Sequence, residues 1–185
     1  MKKALYLLTA ALAIALLGGC ASGARVANME VAGQPTQRIA PTPLRQQLSV
    51  REVGGGSETS PLWKSNVGSP EFEQALKNSL RATGLLAEGP AAFYMLSAQL
   101  EDLDQPLIGL SMTVTARVSY TVAEKASGKI LWQQTLTTPY TAAFTDSLLG
   151  IERLRLANEG AIRTNLGQLI DALFRLDISS LALNR

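Results

Sequence analysis

The sequence predicts an α+β protein, a two-layer sandwich in which two helices cover one face of a mainly antiparallel sheet of about four strands. Two observations support this class. Residues 110–122 alternate apolar and polar side chains over thirteen positions, which is the period of a strand with one covered face. Residues 69–83 and 149–176 instead repeat their apolar side chains with the period of a helix. The predicted order is β-α-β-β-β-α.

The first strand and the first helix are predicted on either side of a glycine-rich stretch. Residues 48–53 alternate imperfectly, and three glycines at 54–56 end that strand. Such a loop can offer amides to a phosphate, but the Lys-Ser/Thr of a P-loop is missing, so we expect a flexible turn. Ser69 is a suitable N-cap, Pro70 suits the first helical position, and Gly84 suits the C-terminal cap.

A second strand is predicted from the alternation over residues 94–101, and a loop is expected directly after it. This loop holds Asp102 and Asp104 before Gln105 and Pro106. Two carboxylates at this spacing could bind a cation or act as an acid and a base. Because no further ligand is close in sequence, we expect a solvated turn.

The third strand is the strongest signal in the chain. Its predicted inner face is formed by Leu110, Met112, Val114, Ala116, Val118, Tyr120 and Val122. A turn at 125–129, in which Gly128 can adopt a positive φ, leads to a returning strand. That strand is predicted to place Ile130, Trp132 and Leu136 on one face and to end at Thr138-Pro139.

The final helix is predicted to combine an apolar stripe with a mixed-charge face. Its stripe consists of Ile151, Leu154, Ala157, Ala161, Ile162, Leu166, Leu169, Ile170 and Leu173. Arg153, Arg155 and Arg163 alternate with Glu152 and Glu159 on the other side. A dedicated anion site is one interpretation of this face. The mixed signs favour a solvated, ion-paired surface, because opposite charges cancel the local field.

The N-terminus has the features of an export signal. Lys2 and Lys3 precede an apolar segment over residues 4–17, which is too short and wrongly flanked for a stable membrane span. Leu17, Gly18 and Gly19 then lead to Cys20, the single cysteine of the chain. This arrangement resembles a bacterial lipobox, in which cleavage before the cysteine is accompanied by acylation of that residue.

The lipobox predicts three regions of the chain. Residues 1–19 form the signal peptide, 20–47 form the lipidated Cys20 with a flexible tether, and 48–185 form a periplasmic α+β domain. The tether is expected because residues 21–47 contain several glycines and prolines and few large apolar side chains. A short strand within 25–31 is an alternative for part of it. Ala21 stands where an aspartate resembles an inner-membrane retention signal, so the resemblance implies an outer-membrane location.

Composition excludes several classes of function. Removing Lys2 and Lys3 leaves 15 basic and 15 acidic residues, so the mature chain is formally neutral and no nucleic-acid partner is expected. Histidine is absent, and Cys20 is reserved for acylation. A Ser-His-Asp triad and a histidine-based metal site are therefore excluded. We expect no catalytic residue, no metal and no cofactor.

The element order behind a lipobox resembles the periplasmic domains of small envelope lipoproteins. Three stretches support this resemblance: residues 72–80, the hairpin through Gly128, and residues 158–165. Similar layouts occur in the lipopolysaccharide-assembly lipoprotein, the auxiliary lipoproteins of ABC-type transport systems and the curli-secretion lipoproteins. The resemblance covers about residues 48–174 and is at the level of the fold, so it implies function by analogy alone.

The function expected from these features is that of a non-enzymatic accessory or binding subunit in outer-membrane assembly or transport. Its partners would be the membrane, through the lipid on Cys20, and an unidentified envelope protein. That protein could dock on the polar sheet face around Arg117 or on a strand edge. Two alternatives remain: a lipid-binding module whose apolar groove has Trp63 or Trp132 at its mouth, and a hydrolase or transferase without His or Cys.

Overall fold

A computed structural model describes residues 22–33, 41–60 and 65–177 of the chain. Its helices are α1 (Val26–Met29), α2 (Ser69–Ala82) and α3 (Gly150–Arg175). Its strands are β1 (Leu48–Gly54), β2 (Tyr94–Asp104), β3 (Met112–Glu124) and β4 (Ile130–Ala142). Short 3₁₀ turns occupy Gly89–Ala91 and Phe144–Asp146. From β1 onward, the predicted order β-α-β-β-β-α is confirmed.

The strands form one sheet in the order β1-β2-β3-β4, and this sheet is mixed. The pairs β2-β3 and β3-β4 are antiparallel, whereas β1 is parallel to β2. The parallel pair follows from α2, which connects β1 to β2 and packs against β1. A crossover helix returns the chain to the same end of the sheet, so the next strand runs in the same direction.

Strand β3 confirms the alternation on which the fold class was predicted. Val114, Ala116, Val118, Tyr120 and Val122 are fully buried, and they alternate with exposed or half-buried neighbours. Helix α3 packs against this buried face of β3 and β4. The strand begins two residues later than expected, however, and Leu110 lies in the preceding loop with 76% of its surface exposed.

Strand β4 departs from its predicted pattern at both ends. The register of its pairing with β3 shifts between Val122 and Ala123, which face Trp132 and Ile130. This bulge moves Ile130 off the covered face, so its side chain is exposed. Pro139 was expected to end the strand but lies within it, because β4 is at an edge of the sheet, where a missing N–H is tolerated.

The ends of α2 agree with the sequence to within one residue. The helix is capped by Gly68 rather than by Ser69, whose Oγ instead accepts a hydrogen bond from the Gly56 amide at 3.0 Å. Gly84 follows the C-cap with φ +74°, a backbone conformation that favours glycine. The Ser57 amide also donates a hydrogen bond within the domain, to the Val67 carbonyl at 2.9 Å.

Residues 22–33 are packed on the domain, and this corrects the prediction of a flexible tether over that segment. They contain α1, not a strand, and Met29 is fully buried in the same core cluster as α2 and α3. The Val31 amide donates to Ser79 Oγ of α2 at 2.9 Å. The folded domain therefore includes residues well before position 48. Cys20 and Trp63 lie outside the described residues.

Candidate functional site

The face of the sheet opposite α3 is open and polar. Along β3 it presents Thr113, Thr115, Arg117, Ser119 and Thr121, each exposed or half-buried. The outward residues of β4 are of similar character: Gln133, Thr135, Thr137, Pro139 and Thr141. A shallow depression of about 540 Å³ crosses this face between β1 and β4. The polar face predicted around Arg117 is thus present as a continuous surface.

Asp102 and Asp104 lie on the same open face, in the last part of β2 and not in a loop as predicted. A register shift between Leu100 and Asp102 turns both aspartates outward, where Asp102 pairs with Arg117 and Asp104 with Thr115 across the strands. Both side chains are exposed. Among the residues that the structure describes, no group of three or more acidic side chains could hold a metal ion.

Helix α3 contains a buried ionic cluster. The ion pairing predicted for its charged face is present, but Arg155 and Glu159 are buried and not solvated, whereas Arg163 is exposed as predicted. Arg155 and Glu159 each have 2% of their side chain exposed and are joined from Nη1 to Oε1 at 2.8 Å. Arg155 also donates to Glu152, which is about one-third exposed. That hydrogen bond, together with the nearby positive charge, lowers the pKa of Glu152.

The buried cluster fastens the N-terminal segment to α3. Glu159 Oε1 accepts a hydrogen bond from the Arg25 amide and Oε2 accepts one from Asn28 Nδ2, both at 2.8 Å. These groups come from the segment that was predicted to be a tether. Because this segment covers the second side of α3, the charged side chains there are removed from water and must be paired. The groups of this cluster bind one another and the N-terminal segment, and none of them is directed at a ligand.

A second buried polar group joins α3 to the sheet. The Tyr120 hydroxyl donates to Asn165 Oδ1 at 2.7 Å, and Asn165 Nδ2 donates to the Leu136 carbonyl and to Thr138 Oγ1. Burial raises the pKa of Tyr120 far above its ordinary value, so the phenol stays protonated. All of these polar atoms are used to hold α3 on β3 and β4.

The groove expected at Trp132 is not apolar. Trp132 lines a cleft of about 490 Å³ between β4 and the C-terminal half of α3. Half of the residues that line it are polar or charged, namely Gln134, Gln168, Asp171 and Arg175. Such a lining does not suit an acyl chain, because polar groups would be buried without partners.

An exposed apolar surface lies instead on two loops at one end of the sheet. Residues 105–111 follow β2, and residues 143–149 follow β4. These loops carry six large exposed side chains, here called the apolar end: Leu107, Ile108, Leu110, Phe144, Leu148 and Leu149. Leu107 and Ile108 are 97% and 88% exposed, which is unusual for neighbouring side chains of this size.

Sequence reasoning missed the apolar end, although its signal is visible. Both loops combine bulky aliphatic residues with Gly, Pro or Ser, and Asp146 is the single charged residue in them. Because the alternation of apolar and polar residues in β3 continues back to Leu110, the sequence predicted that this residue belongs to the strand. Pro106 and Gly109, which both favour loops, were the available indication that the strand starts later.

Comparisons with known proteins identify the fold but no family. No protein-family profile and no curated protein matches the sequence. A crystal structure from Xanthomonas campestris, of a protein assigned to the family DUF330, superposes with a TM-score of 0.62 at 11% identity, covering 89% of this chain and 99% of its own. A Caulobacter crescentus protein named as a candidate lipoprotein superposes with a TM-score of 0.50 at 13% identity, covering 77% and 95%. The chain therefore shares its α+β fold with small bacterial proteins.

Proposed function

We propose that this chain is a lipid-anchored bacterial envelope protein that acts as a non-enzymatic accessory or binding subunit in outer-membrane assembly or transport. The observation that carries the anchor is the run Leu17-Gly18-Gly19-Cys20 behind a positive and apolar leader. The shared fold with a protein named as a candidate lipoprotein supports it. Several acyl chains give stable anchoring, since each buried methylene contributes about 0.8 kcal/mol.

The subunit role is supported by the way in which the domain uses its polar groups. Two buried pairs, Arg155 with Glu159 and Tyr120 with Asn165, are hydrogen-bonded within the domain. The open sheet face presents hydroxyls, amides and a few charges over a broad area, which suits a docking surface. Within the described residues, no helix has the length and hydropathy to cross a bilayer.

Metabolic labelling tests the anchor. The wild-type chain should incorporate labelled fatty acid and fractionate with membranes, whereas Cys20→Ser should remain unlabelled and unprocessed or appear as a soluble periplasmic form. Wild-type protein that takes up no fatty acid and fractionates as soluble would contradict the proposal.

The outer-membrane location is tested separately at the following residue. Ala21→Asp introduces the residue that resembles a retention signal, and it should move the acylated chain to the inner membrane. Ala21→Ser is the matched control and should leave the distribution unchanged. If both variants and the wild type fractionate together, the assignment to the outer membrane is wrong and the anchor alone remains.

The docking role is tested by two charge swaps that preserve net charge. Asp102→Arg with Arg117→Asp inverts a cross-strand pair on the open face. Glu73→Lys with Lys77→Glu inverts an exposed pair on α2, away from that face. The first swap should abolish complementation of a deletion strain and co-purification of the partner, and the second should preserve both. Equal behaviour of the two swaps would remove the open face as the docking site.

The enzymatic alternative has its own test on the same face. Asp104→Asn changes one charge in the only pair of carboxylates that suggested acid–base chemistry. We expect complementation to be retained, because docking energy is spread over many contacts. Loss of function with intact folding, anchoring and partner binding would indicate chemistry and overturn the proposal.

A further inference from the structure

The apolar end and the start of the described chain lie at the same end of the sheet. Ser65 Oγ donates to the Ser22 carbonyl at 2.8 Å, and the Ser65 carbonyl accepts a hydrogen bond from Gln105 Nε2 at 3.0 Å. Gln105 opens the loop that carries Leu107 and Ile108. Asn158 of α3 also donates to the Ser65 carbonyl, at 2.9 Å, so this junction is held from both layers. Cys20 is two residues before Ser22, within about 7 Å of chain.

Arg153 joins the two loops of the apolar end into one unit. Its Nη1 donates to the Ser147 carbonyl at 2.7 Å and its Nη2 donates to the Gly109 carbonyl at 3.2 Å, one in each loop. The guanidinium also lies 5.1 Å from the centre of the Phe144 ring. Arg153 itself is 95% buried, so its charge is kept below the surface while the apolar side chains remain outside.

The composition of the two loops suits the interface of a lipid bilayer. Satisfied carbonyls lower the cost of placing loop backbone in apolar surroundings. The single charged residue of the loops, Asp146, accepts a hydrogen bond from the Ala143 amide at 2.8 Å. There is no lysine or arginine in either loop. Attraction to the bilayer would therefore come from the apolar side chains and would not require anionic lipid.

We propose that the apolar end inserts into the bilayer beside the acylated Cys20, so that the domain stands on the membrane in one orientation. This inference rests on the proposed lipid anchor. The acyl chains already provide attachment, and the loops add a second contact that restricts rotation about it. The charged hairpin at Lys125 and Lys129, at the opposite end of the strands, then faces away from the membrane.

A second copy of the chain is a less suitable occupant of the apolar end. Two copies anchored in the same leaflet through Cys20 have their apolar ends on the same side, next to the membrane. They cannot place these ends head to head without one of them turning its anchor away from the bilayer. Lateral contacts through β1 or β4 remain possible for such copies, but they would leave the loop tips uncovered.

The experiment uses the full acylated chain with one introduced thiol. Cys20 is the only cysteine, and its sulfur is blocked by the lipid, so Ile108→Cys carries the single free thiol. Phe93→Cys is the matched control, since Phe93 is also a large exposed residue, 68% exposed, at the opposite end of the sheet. Each variant is labelled with an environment-sensitive fluorophore and reconstituted into phosphatidylcholine vesicles.

The expected result is a difference between the two positions. The probe at 108 should shift its emission to the blue, lose most of its intensity to lipids brominated near the headgroup, and resist aqueous iodide. The probe at 93 should show the reverse. Equal exposure of both probes to iodide in an acylated chain overturns the inference. Protection from iodide without quenching by brominated lipid also overturns it and indicates a protein, including a second copy, on the loops.

The mass of the same sample reports acylation independently. A chain without acyl groups overturns the anchor, and with it this inference, whereas an acylated chain with a water-exposed position 108 overturns the inference alone. A thermal melt of each variant that matches the wild type confirms that the fold is intact. Both substituted side chains are largely exposed in the parent, so little change in melting temperature is expected.

Discussion

The two faces of the sheet are built from the same strands and differ in almost every other respect. On the covered face, Val114, Val118 and Val122 of β3 are fully buried beneath α3. On the open face, Thr115 and Arg117 alternate with them and contact water. The covered face holds the fold together, because it removes the apolar area from water. The open face is free to vary in chemistry, and a partner site is best sought there.

The largest expected effect contrasts these two faces directly. Val118→Asp places an unpaired carboxylate in the core and should cost about 4 kcal/mol or more, a large part of the roughly 5–15 kcal/mol by which ordinary domains are stable. Thr115→Asp lies opposite Asp104, so like charges meet across the strands and the cost should be at most about 1 kcal/mol. Thermal and urea unfolding measure both. Similar losses for the two variants would contradict the one-sided sheet.

The second-largest expected effect tests whether residues 22–33 are part of the buried interior and are held on α3 by Glu159. Glu159→Gln removes a buried charge that pairs with Arg155, and should cost about 3 kcal/mol. Hydrogen exchange should increase first in residues 22–33. Glu73→Gln is the control, because its pair with Lys77 is over one-third exposed and should contribute less than about 1 kcal/mol. Unchanged protection of residues 22–33 would show that Glu159 does not hold that segment.

A smaller effect tests how closely α3 approaches the sheet. A Cβ atom on Gly160 would lie 2.2 Å from the Tyr140 ring, whereas one on Gly167 of the same helix would meet nothing within 4 Å. Gly160→Ala should therefore destabilise by about 1–3 kcal/mol through overpacking. Gly167→Ala should stabilise by about 0.5–1 kcal/mol through helix propensity. Changes in unfolding free energy of the same sign for the two variants would contradict the close packing at Gly160.

The smallest expected effect is a pH dependence of stability that comes from Glu152, the partly exposed member of the buried cluster. The Arg155 hydrogen bond lowers the native pKa of Glu152 below its ordinary value of 4.5. A depressed native pKa contributes stability above the unfolded pKa, and this stability is lost as pH falls through the native pKa. Glu152→Gln should therefore be less stable than wild type at pH 7, with a difference that shrinks below pH 4.5. A difference that persists in acid would indicate lost packing instead.

The sequence predicted the elements well because their periods are local properties. The buried residues of β3 and the length of α3 follow directly from alternation and helical spacing. The orientation of β1 relative to β2 does not, since it depends on where α2 crosses the sheet. Register shifts were also missed. One turns Ile130 of β4 away from the covered face, and another places Asp102 on the open face of β2, where a loop was predicted.

The candidate sites were predicted less completely, for a common physical reason. Arg155 and Glu159 have the spacing of a solvated helical pair, and nothing local shows that another segment covers them. That segment, residues 22–33, has the composition of a linker, and its burial depends on contacts with residues more than 130 positions away. The apolar end was missed because exposed aliphatic residues look like core in a sequence.

The contact between Arg25 and Glu159 spans 134 residues of chain, and this separation orders events in time. A chain that is synthesised from its N-terminus delivers Arg25 early and Glu159 late. Until α3 has been made, residues 22–33 lack the hydrogen bonds that Arg25 and Asn28 form with Glu159, although their contacts with α2 are available. If Cys20 is acylated as proposed, the modifying enzymes would meet the residues after it before α3 holds them in place. The contacts that fasten residues 22–33 to α3 therefore form late, after most of the domain has been made.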